Sequence, residues 1–211
     1  MIYEAFNQAV LARVPETTRR LLDLGCGSGV LGRKIKEALE CRVVGVTYSE
    51  AEAAQAAQCL DEVLVCDLNS FRPLEAGEFD CIICSHVLEH LYQPDEVLKR
   101  LRHGLSPDGV LIVALPNVLH WRQRLNFFRG SFRYTDGGLM DRTHYRFFDW
   151  TTAHELLTES GYRVVEAVAD GSFPLSRFLS RAGEKLDRAA LKKFPGLFGF
   201  QFVFMCHPNG D

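Results

Sequence analysis

Residues Leu21-Leu22-Asp23-Leu24-Gly25-Cys26-Gly27-Ser28-Gly29 constrain the fold more than any other stretch of the chain. An apolar run of strand length breaks into a loop with glycine at every second position. Leu31, Ile35, Ala38 and Leu39 then follow at helical spacing. Such a strand–loop–helix turn lets the backbone approach a ligand closely, because glycine adopts positive φ and carries no Cβ to block a bound molecule. The helix N-terminus behind the loop offers free N–H donors.

Strand-like and helix-like segments alternate around this turn. Apolar runs predict strands at Arg20–Leu24, Arg42–Thr47, Glu62–Cys66, Phe79–Ser85 and Gly109–Leu115. Helices are predicted near Gly29–Leu39, Ser49–Gln58 and Pro94–Gly104, the last with a stripe of Val97, Leu98, Leu101 and Leu105. This alternation implies right-handed βαβ units and a parallel sheet covered on both faces. Thr152-x-x-Glu155 has the capping-box pattern for a helix ending near Gly161. A strand at Tyr162–Ala169, a helical stretch around Pro174–Lys193 and a strand over Gly199–Cys206 complete the pattern.

The chain has 211 residues, enough for one domain with a full core and short for two. A net charge of −3 argues against a general nucleic-acid binder. No apolar stretch is long enough to span a bilayer, and Met1-Ile2-Tyr3-Glu4 lacks a signal-peptide pattern. The seven cysteines are scattered and several fall in strands, which suits reduced core thiols and a cytoplasmic setting. Cys81-x-x-Cys84 lies within a strand, where residues three apart point to opposite faces, so the two thiols cannot share one ion.

Glycine spacing separates two classes of ligand. A dinucleotide loop has the pattern G-x-G-x-x-G with an acidic residue about 20 positions on. Here Val30 stands at the third glycine position, which disfavours a nicotinamide-dependent oxidoreductase. The pattern present, G-x-G-x-G preceded by Asp23, resembles motif I of the class I S-adenosylmethionine-dependent methyltransferases. Ser85-His86-Val87-Leu88-Glu89-His90-Leu91 resembles a second segment of that family. The segments Leu115-Pro116-Asn117…His120-Trp121 and Tyr134-Thr135-Asp136-Gly137-Gly138…Asp141-Arg142-Thr143-His144-Tyr145-Arg146-Phe147-Phe148 resemble a bacterial subgroup often found beside glycosyltransferases.

The resemblance implies a doubly wound Rossmann-like α/β fold. Its seven-stranded sheet has the order 3-2-1-4-5-7-6 with strand 7 antiparallel, in one domain over residues 1–211. It implies S-adenosyl-L-methionine as cofactor, held by Asp23, Gly25, Cys26, Gly27 and Gly29. Thr47 and Tyr48 stand at the ribose, Asp67 and the Leu68 N–H at the adenine, and Ser85 at the end of the fourth strand. The family usually has Asp or Glu at position 47, where a carboxylate grips both ribose hydroxyls. This chain departs from that pattern, so Thr47 or Ser49 would offer one neutral bond, or Glu50 would reach back. Asp67 also reads as a turn cap.

Residues 116–149 interleave basic, aromatic and acidic groups after the fifth strand and read as a substrate-side insertion. Asn117, Trp121, Tyr134, Arg142 and Arg146 are expected at the acceptor, with Tyr3 closing from ahead of the first strand. Arg122, Arg124 and Arg129 read instead as the wet face of a helix. Methyl transfer from a sulfonium asks for alignment and, with a hydroxyl acceptor, proton removal. His86 and His144 are the candidate bases, with Asp141 a further candidate.

No metal is expected. The alternative is a site at His86, Glu89 and His90, because His86-x-x-Glu89-His90 resembles a segment of metal-assisted methyltransferases. The implied function is methyl transfer to a small polar acceptor, most readily a hydroxyl of a sugar or glycan precursor. A homodimer or a protein partner fits the same reading. The alternative is a non-catalytic or partner-activating protein like those associated with methionine biosynthesis (MetW), which share the glycine loop and the Pro-Asn…His-Trp segment.

Overall fold

The computed structural model describes residues 7–70, 78–174 and 180–210, with the side chains of 180–182 excluded. Its elements run α1 (Gln8–Leu11), β1 (Arg20–Leu24), α2 (Val30–Ala38), β2 (Arg42–Thr47), α3 (Glu50–Ala56), β3 (Glu62–Val65), β4 (Phe79–Ser85), α4 (Pro94–Gly104), β5 (Leu105–Pro116), α5 (Trp121–Phe128), α6 (Trp150–Glu159), β6 (Tyr162–Gly171), α7 (Ser180–Lys193), α8 (Pro195–Phe198) and β7 (Gly199–Pro208). Short 3₁₀ turns cover Leu68–Ser70 and Leu88–His90.

The sheet has the order β3-β2-β1-β4-β5-β7-β6, as the resemblance implied. Strands β1 to β5 pair in parallel, while β7 runs antiparallel to both β5 and β6. Central parallel strands covered on both faces need apolar side chains pointing both ways. Leu22, Leu24, Ile82, Leu111 and Leu98 fill one face; Leu21, Ile35, Ile83, Ile112 and Val203 fill the other. Each fully buried leucine or isoleucine contributes roughly 1.5–3 kcal/mol. Cys84 joins the first face and Cys81 the second, which separates the two thiols as their spacing requires.

Among the boundaries that differ from expectation, two have a local cause. β5 starts at Leu105 instead of Gly109, because Leu105 already pairs with Phe79 before the register shifts ahead of Cys81. The turn Pro107-Asp108-Gly109 is thus an irregularity inside the strand. Helix α6 begins at Trp150, and its capping box joins Asp149 and Thr152, not Thr152 and Glu155. Asp149 Oδ1 accepts from Thr152 N at 2.8 Å, and Thr152 Oγ1 accepts from Asp149 N at 3.0 Å. Among the described residues no helix is long and apolar enough to cross a membrane.

Candidate active site

In an open α/β sheet, ligands bind beyond the carboxyl ends of the parallel strands, at the switch in strand order. Here that switch lies between β1 and β4, and the glycine loop leaves β1 at that point. Gly25, Gly27 and Gly29 all have positive φ, at 71°, 52° and 82°. Their surroundings differ. A Cβ on Gly25 would collide with the Val87 side chain, and one on Gly29 would press on Ala56 and Cys59 at 3.0 Å. A Cβ on Gly27 would meet nothing within 4 Å, so this is the open side of the loop. Cys26 N donates to Val46 O at 2.9 Å and pins the loop to β2. Burial, with the nearby charges of Asp23 and Glu52, pushes the Cys26 thiol up to about 12.

Asp23 sits beneath this loop, 2% exposed, and its Oδ2 has no hydrogen-bond partner. Burial raises its carboxyl to about 7. A buried carboxylate with an unsatisfied oxygen is unfavourable unless a donor or cation joins it.

At the end of β2, Thr47 is buried, and its hydroxyl donates to Glu52 Oε2 at 2.8 Å while accepting from Ser49 N at 3.3 Å. Glu52, not Glu50, is therefore the carboxylate that returns to the strand end. Its charge also reaches the glycine loop, where it raises the Cys26 thiol. Sequence patterns did not single out Glu52, although Ser49-x-x-Glu52 has capping-box spacing at the start of α3. Ser49 does cap Glu52 N, at 3.4 Å, but the return leg runs through the Thr47 hydroxyl. Tyr48 beside it is 81% exposed. Asp67 Oδ1 accepts from Asn69 N and Nδ2, both at 2.9 Å, and so holds the turn at Leu68. Asn69 Oδ1 in turn accepts from Tyr92 N at 2.9 Å.

β4 ends at Ser85, whose Oγ lies 3.5 Å from Asn7 Nδ2. His86 follows with φ 56°, the one positive φ outside glycine among the described residues. Strained backbone of this kind clusters at functional sites. Both ring nitrogens of His86 are engaged: Nδ1 lies 3.2 Å from Glu89 Oε1 and Nε2 2.8 Å from Gln201 Oε1. Gln201 Nε2 donates to Asp170 Oδ2 at 2.8 Å, which fixes its oxygen as the acceptor facing His86. Desolvation pulls His86 down, but the Glu89 hydrogen bond and charge, with Gln201, leave its pKa raised. With Glu89 and Gln201 on its two ring nitrogens, His86 offers no free nitrogen to take a proton from an acceptor.

Glu89, His90 and His144 converge next to it, with one donor atom from each lying within 4.8 Å of the others. The sequence offers His86, Glu89 and His90 only as an alternative to no metal; the donor atoms that come together in the structure are those of Glu89, His90 and His144. The His90 and His144 rings meet edge-on at 4.7 Å. Burial lowers the His144 pKa, so its imidazole is neutral at pH 7, and its Nδ1 has no partner. Asp141 Oδ1 accepts from Thr143 N at 2.8 Å and Thr143 Oγ1 at 2.7 Å, while Thr143 O lies 3.1 Å from His90 Nδ1.

Asn117 and Phe148 form an isolated bridge that closes the excursion between β5 and α6. Asn117, expected at the acceptor, is engaged within the protein. Its side chain is fully buried, its amide donates to Gly199 O at 2.7 Å and Gly196 O at 3.1 Å, and its oxygen accepts from Leu119 N. The Arg146 guanidinium donates to Tyr92 O at 2.7 and 3.1 Å. Arg142 is exposed and pairs with Asp136 at 2.8 Å. Trp121 carries the Arg122 guanidinium over its ring at 5.2 Å, and Tyr134 is 54% exposed. Tyr3 lies outside the described residues. A depression of about 320 Å³ lies in this region, lined by Gln123, Asn126, Ser131 and Arg133 among others. A larger cleft of about 540 Å³ involves Pro94, Lys99, Arg146 and Glu155, and neither the glycine loop nor the histidine cluster lines it.

Comparison with known proteins follows the same lines. A family model described as a methyltransferase domain matches residues 3–167. The ubiquinone biosynthesis O-methyltransferase of Caulobacter vibrioides is 32% identical over 120 residues, covering 53% of this chain and 46% of that protein. The trans-aconitate 2-methyltransferase of Rhizobium leguminosarum bv. trifolii is 33% identical over 114 residues, covering 52% of this chain and 44% of that protein. The matched chain thus spans about half the length of these curated relatives or less. A SAM dependent methyltransferase from Archaeoglobus fulgidus shares the fold with a TM-score of 0.65 at 20% identity, over 91% of this chain and 87% of that one. The chain belongs to the methyltransferase-domain family and has the fold of the class I S-adenosylmethionine-dependent enzymes.

Proposed function

We propose that this chain transfers the methyl group of S-adenosylmethionine to a hydroxyl of a small polar acceptor, such as a sugar, a glycan precursor or a related metabolite. The observation that carries the reading is the buried Asp23 carboxylate at the end of β1, whose Oδ2 has no partner, just ahead of a loop that is open at Gly27. A cofactor with an ammonium group satisfies that oxygen, whereas a dinucleotide would bring pyrophosphate towards a carboxylate. The residues present therefore fit the cofactor: Gly25, Cys26, Gly27 and Gly29 form the cradle, and Asp23 meets the ammonium. Glu52, positioned by Thr47, supplies the carboxylate for the ribose. Asp67 has a carboxylate oxygen outside its turn cap for the adenine, with Leu68 N beside it.

When bound, the cofactor supplies an electrophilic methyl group on a sulfonium. The protein aligns the acceptor oxygen behind that carbon and takes its proton. The O–CH₃ bond forms as the S–CH₃ bond breaks, and sulfur keeps the bonding pair. Of the three proton acceptors expected from the sequence, His144 has an unengaged nitrogen on a neutral ring. His86 is engaged at both nitrogens, and Asp141 holds Thr143. Residues 116–149 form the acceptor side, where exposed Tyr134 and Arg142 and half-buried Trp121 suit a polar, ring-bearing molecule. Seven free thiols support a reducing, cytoplasmic setting.

Calorimetric titration with S-adenosylmethionine, its demethylated product and NAD tests the reading. The two methyl-cycle ligands are expected to bind and NAD is not. No binding of either at millimolar concentration overturns it. A non-catalytic role is less well supported, because Glu52 brings a carboxylate to the strand end where Thr47 replaces the family's usual acidic residue.

A further inference from the structure

We infer that Glu89, His90 and His144 form a binding site for a divalent transition-metal ion. Two of the three residues are at least nine-tenths buried, Glu89 at 1% exposure and His144 at 9%. Glu89 Oε2 and His144 Nδ1 are both buried without a hydrogen-bond partner. Folded proteins rarely leave such atoms unsatisfied. Two of them in one cluster, with donor atoms from all three residues inside 4.8 Å, mark a place where one electrophile satisfies all three.

The surroundings orient each ligand as metal sites require. A ligating histidine usually donates its other ring N–H to a fixed acceptor, and a ligating carboxylate is itself hydrogen-bonded. His90 Nδ1 lies 3.1 Å from both the main-chain O and the side-chain Oγ1 of Thr143, which leaves Nε2 with its lone pair. Thr143 is held by Asp141 through two bonds. Glu89 Oε1 faces His86 at 3.2 Å, leaving Oε2 for the ion. Tyr145 N and Arg146 N donate to Glu89 O at 2.8 and 3.0 Å, and this clamps the segment bearing His144 onto the segment bearing Glu89 and His90. Asp141-x-Thr143-His144 therefore works as one unit: an anchor, a positioning residue and a ligand.

Two imidazoles and one carboxylate suit zinc, iron(II), cobalt(II) or manganese(II), and do not suit magnesium or calcium, which prefer oxygen ligands throughout. Three protein ligands leave coordination positions open. The site lies at the exit of β4, where Val87 packs on Gly25 of the cofactor loop. Its use in catalysis rests on the methyl-transfer reading; binding of the ion does not. An ion held by Glu89, His90 and His144 would supply Lewis acidity that makes a nearby acceptor hydroxyl easier to deprotonate. His144 then serves as a ligand instead of taking the proton itself.

The test uses the full chain, stripped with chelator and titrated with zinc, cobalt(II) and magnesium, with S-adenosylmethionine titrated into the same samples. One zinc or cobalt ion per chain is expected, with visible d–d absorption for cobalt and no saturable magnesium binding. His90→Ala and His144→Ala should each weaken zinc binding by more than about 100-fold, and Thr143→Val by about 10–100-fold. His90 is only half-buried, so His90→Ala keeps the test decisive if the buried His144 variant fails to fold. Absence of stoichiometric binding by the wild type, or unchanged affinity in the folded His90→Ala variant, overturns the site. Cofactor binding without metal binding overturns this inference alone; metal binding without cofactor binding overturns the methyl-transfer reading alone.

Discussion

Asp23 couples the ligand-free protein to pH in a direction opposite to most carboxylates. The unfolded chain ionises this group near its ordinary 3.8, the folded chain only near 7. Between those values the unfolded state binds fewer protons, so this group's contribution to stability falls as pH rises from about 4 to about 7 and levels off above. A rise of that size caps the loss at about 4 kcal/mol. Asp23→Asn should therefore gain stability relative to wild type as pH rises from 5 to 7, and should bind S-adenosylmethionine less tightly. Melting temperatures of both proteins across that range check it, and a constant difference between them sinks the argument.

The glycines divide in a similar way. Gly27→Ala places its methyl in open space and bears only the left-handed backbone penalty, about 1–2 kcal/mol. Gly25→Ala adds a collision with Val87. Gly27→Ala is expected to fold with a modest loss of melting temperature and to bind cofactor poorly, whereas Gly25→Ala loses more stability. Glycine spacing announced this cradle in the sequence. Glu52 was hidden, because its path to the site runs through a hydroxyl on the preceding strand rather than through a pattern of its own.

At the scale of elements, the buried strands were the most legible part. β1, β2 and β4 begin and end where sequence patterns place them, since strands covered on both faces are mostly apolar, with Asp23 the buried exception in β1. Ends set by single hydrogen bonds were harder to read. Two Thr/Asp-type caps compete at the start of α6, and the geometry chooses Asp149–Thr152 over Thr152–Glu155. Asp149→Ala is expected to destabilise the protein by about 1 kcal/mol in urea unfolding. Glu155→Ala should stay within about 0.5 kcal/mol. Equal effects would put the helix start back at Thr152. The acceptor side was least legible, because pairing Glu89-His90 with Thr143-His144 across 54 positions needs the whole insertion to fold back on itself, and no local periodicity records that.

The whole molecule adds one constraint that neither residues nor elements contain. Because β7 runs antiparallel to β5, its N-terminal end returns to the carboxyl edge of the parallel strands, and Gln201 pairs with Pro116 there. Gln201 then joins His86 on β4's exit, Asn7 ahead of α1 and Asp170 on β6. A reversed last strand thus closes the network around a strained histidine that sits 115 positions away in sequence. Desolvation alone would hold His86 below its ordinary 6.5; Glu89 first and Gln201 second raise it. A histidine raised in this way contributes stability that is fully present below 6.5 and is lost as pH rises through its folded pKa. The His86 resonance should therefore titrate above 6.5 in the wild type, move down in Gln201→Ala, and move down further in Glu89→Gln, where Gln201 alone opposes burial. Titration at an unchanged midpoint in Glu89→Gln would mean that His86 is not paired with Glu89, and that the carboxylate has both oxygens free to face the cluster of His90 and His144.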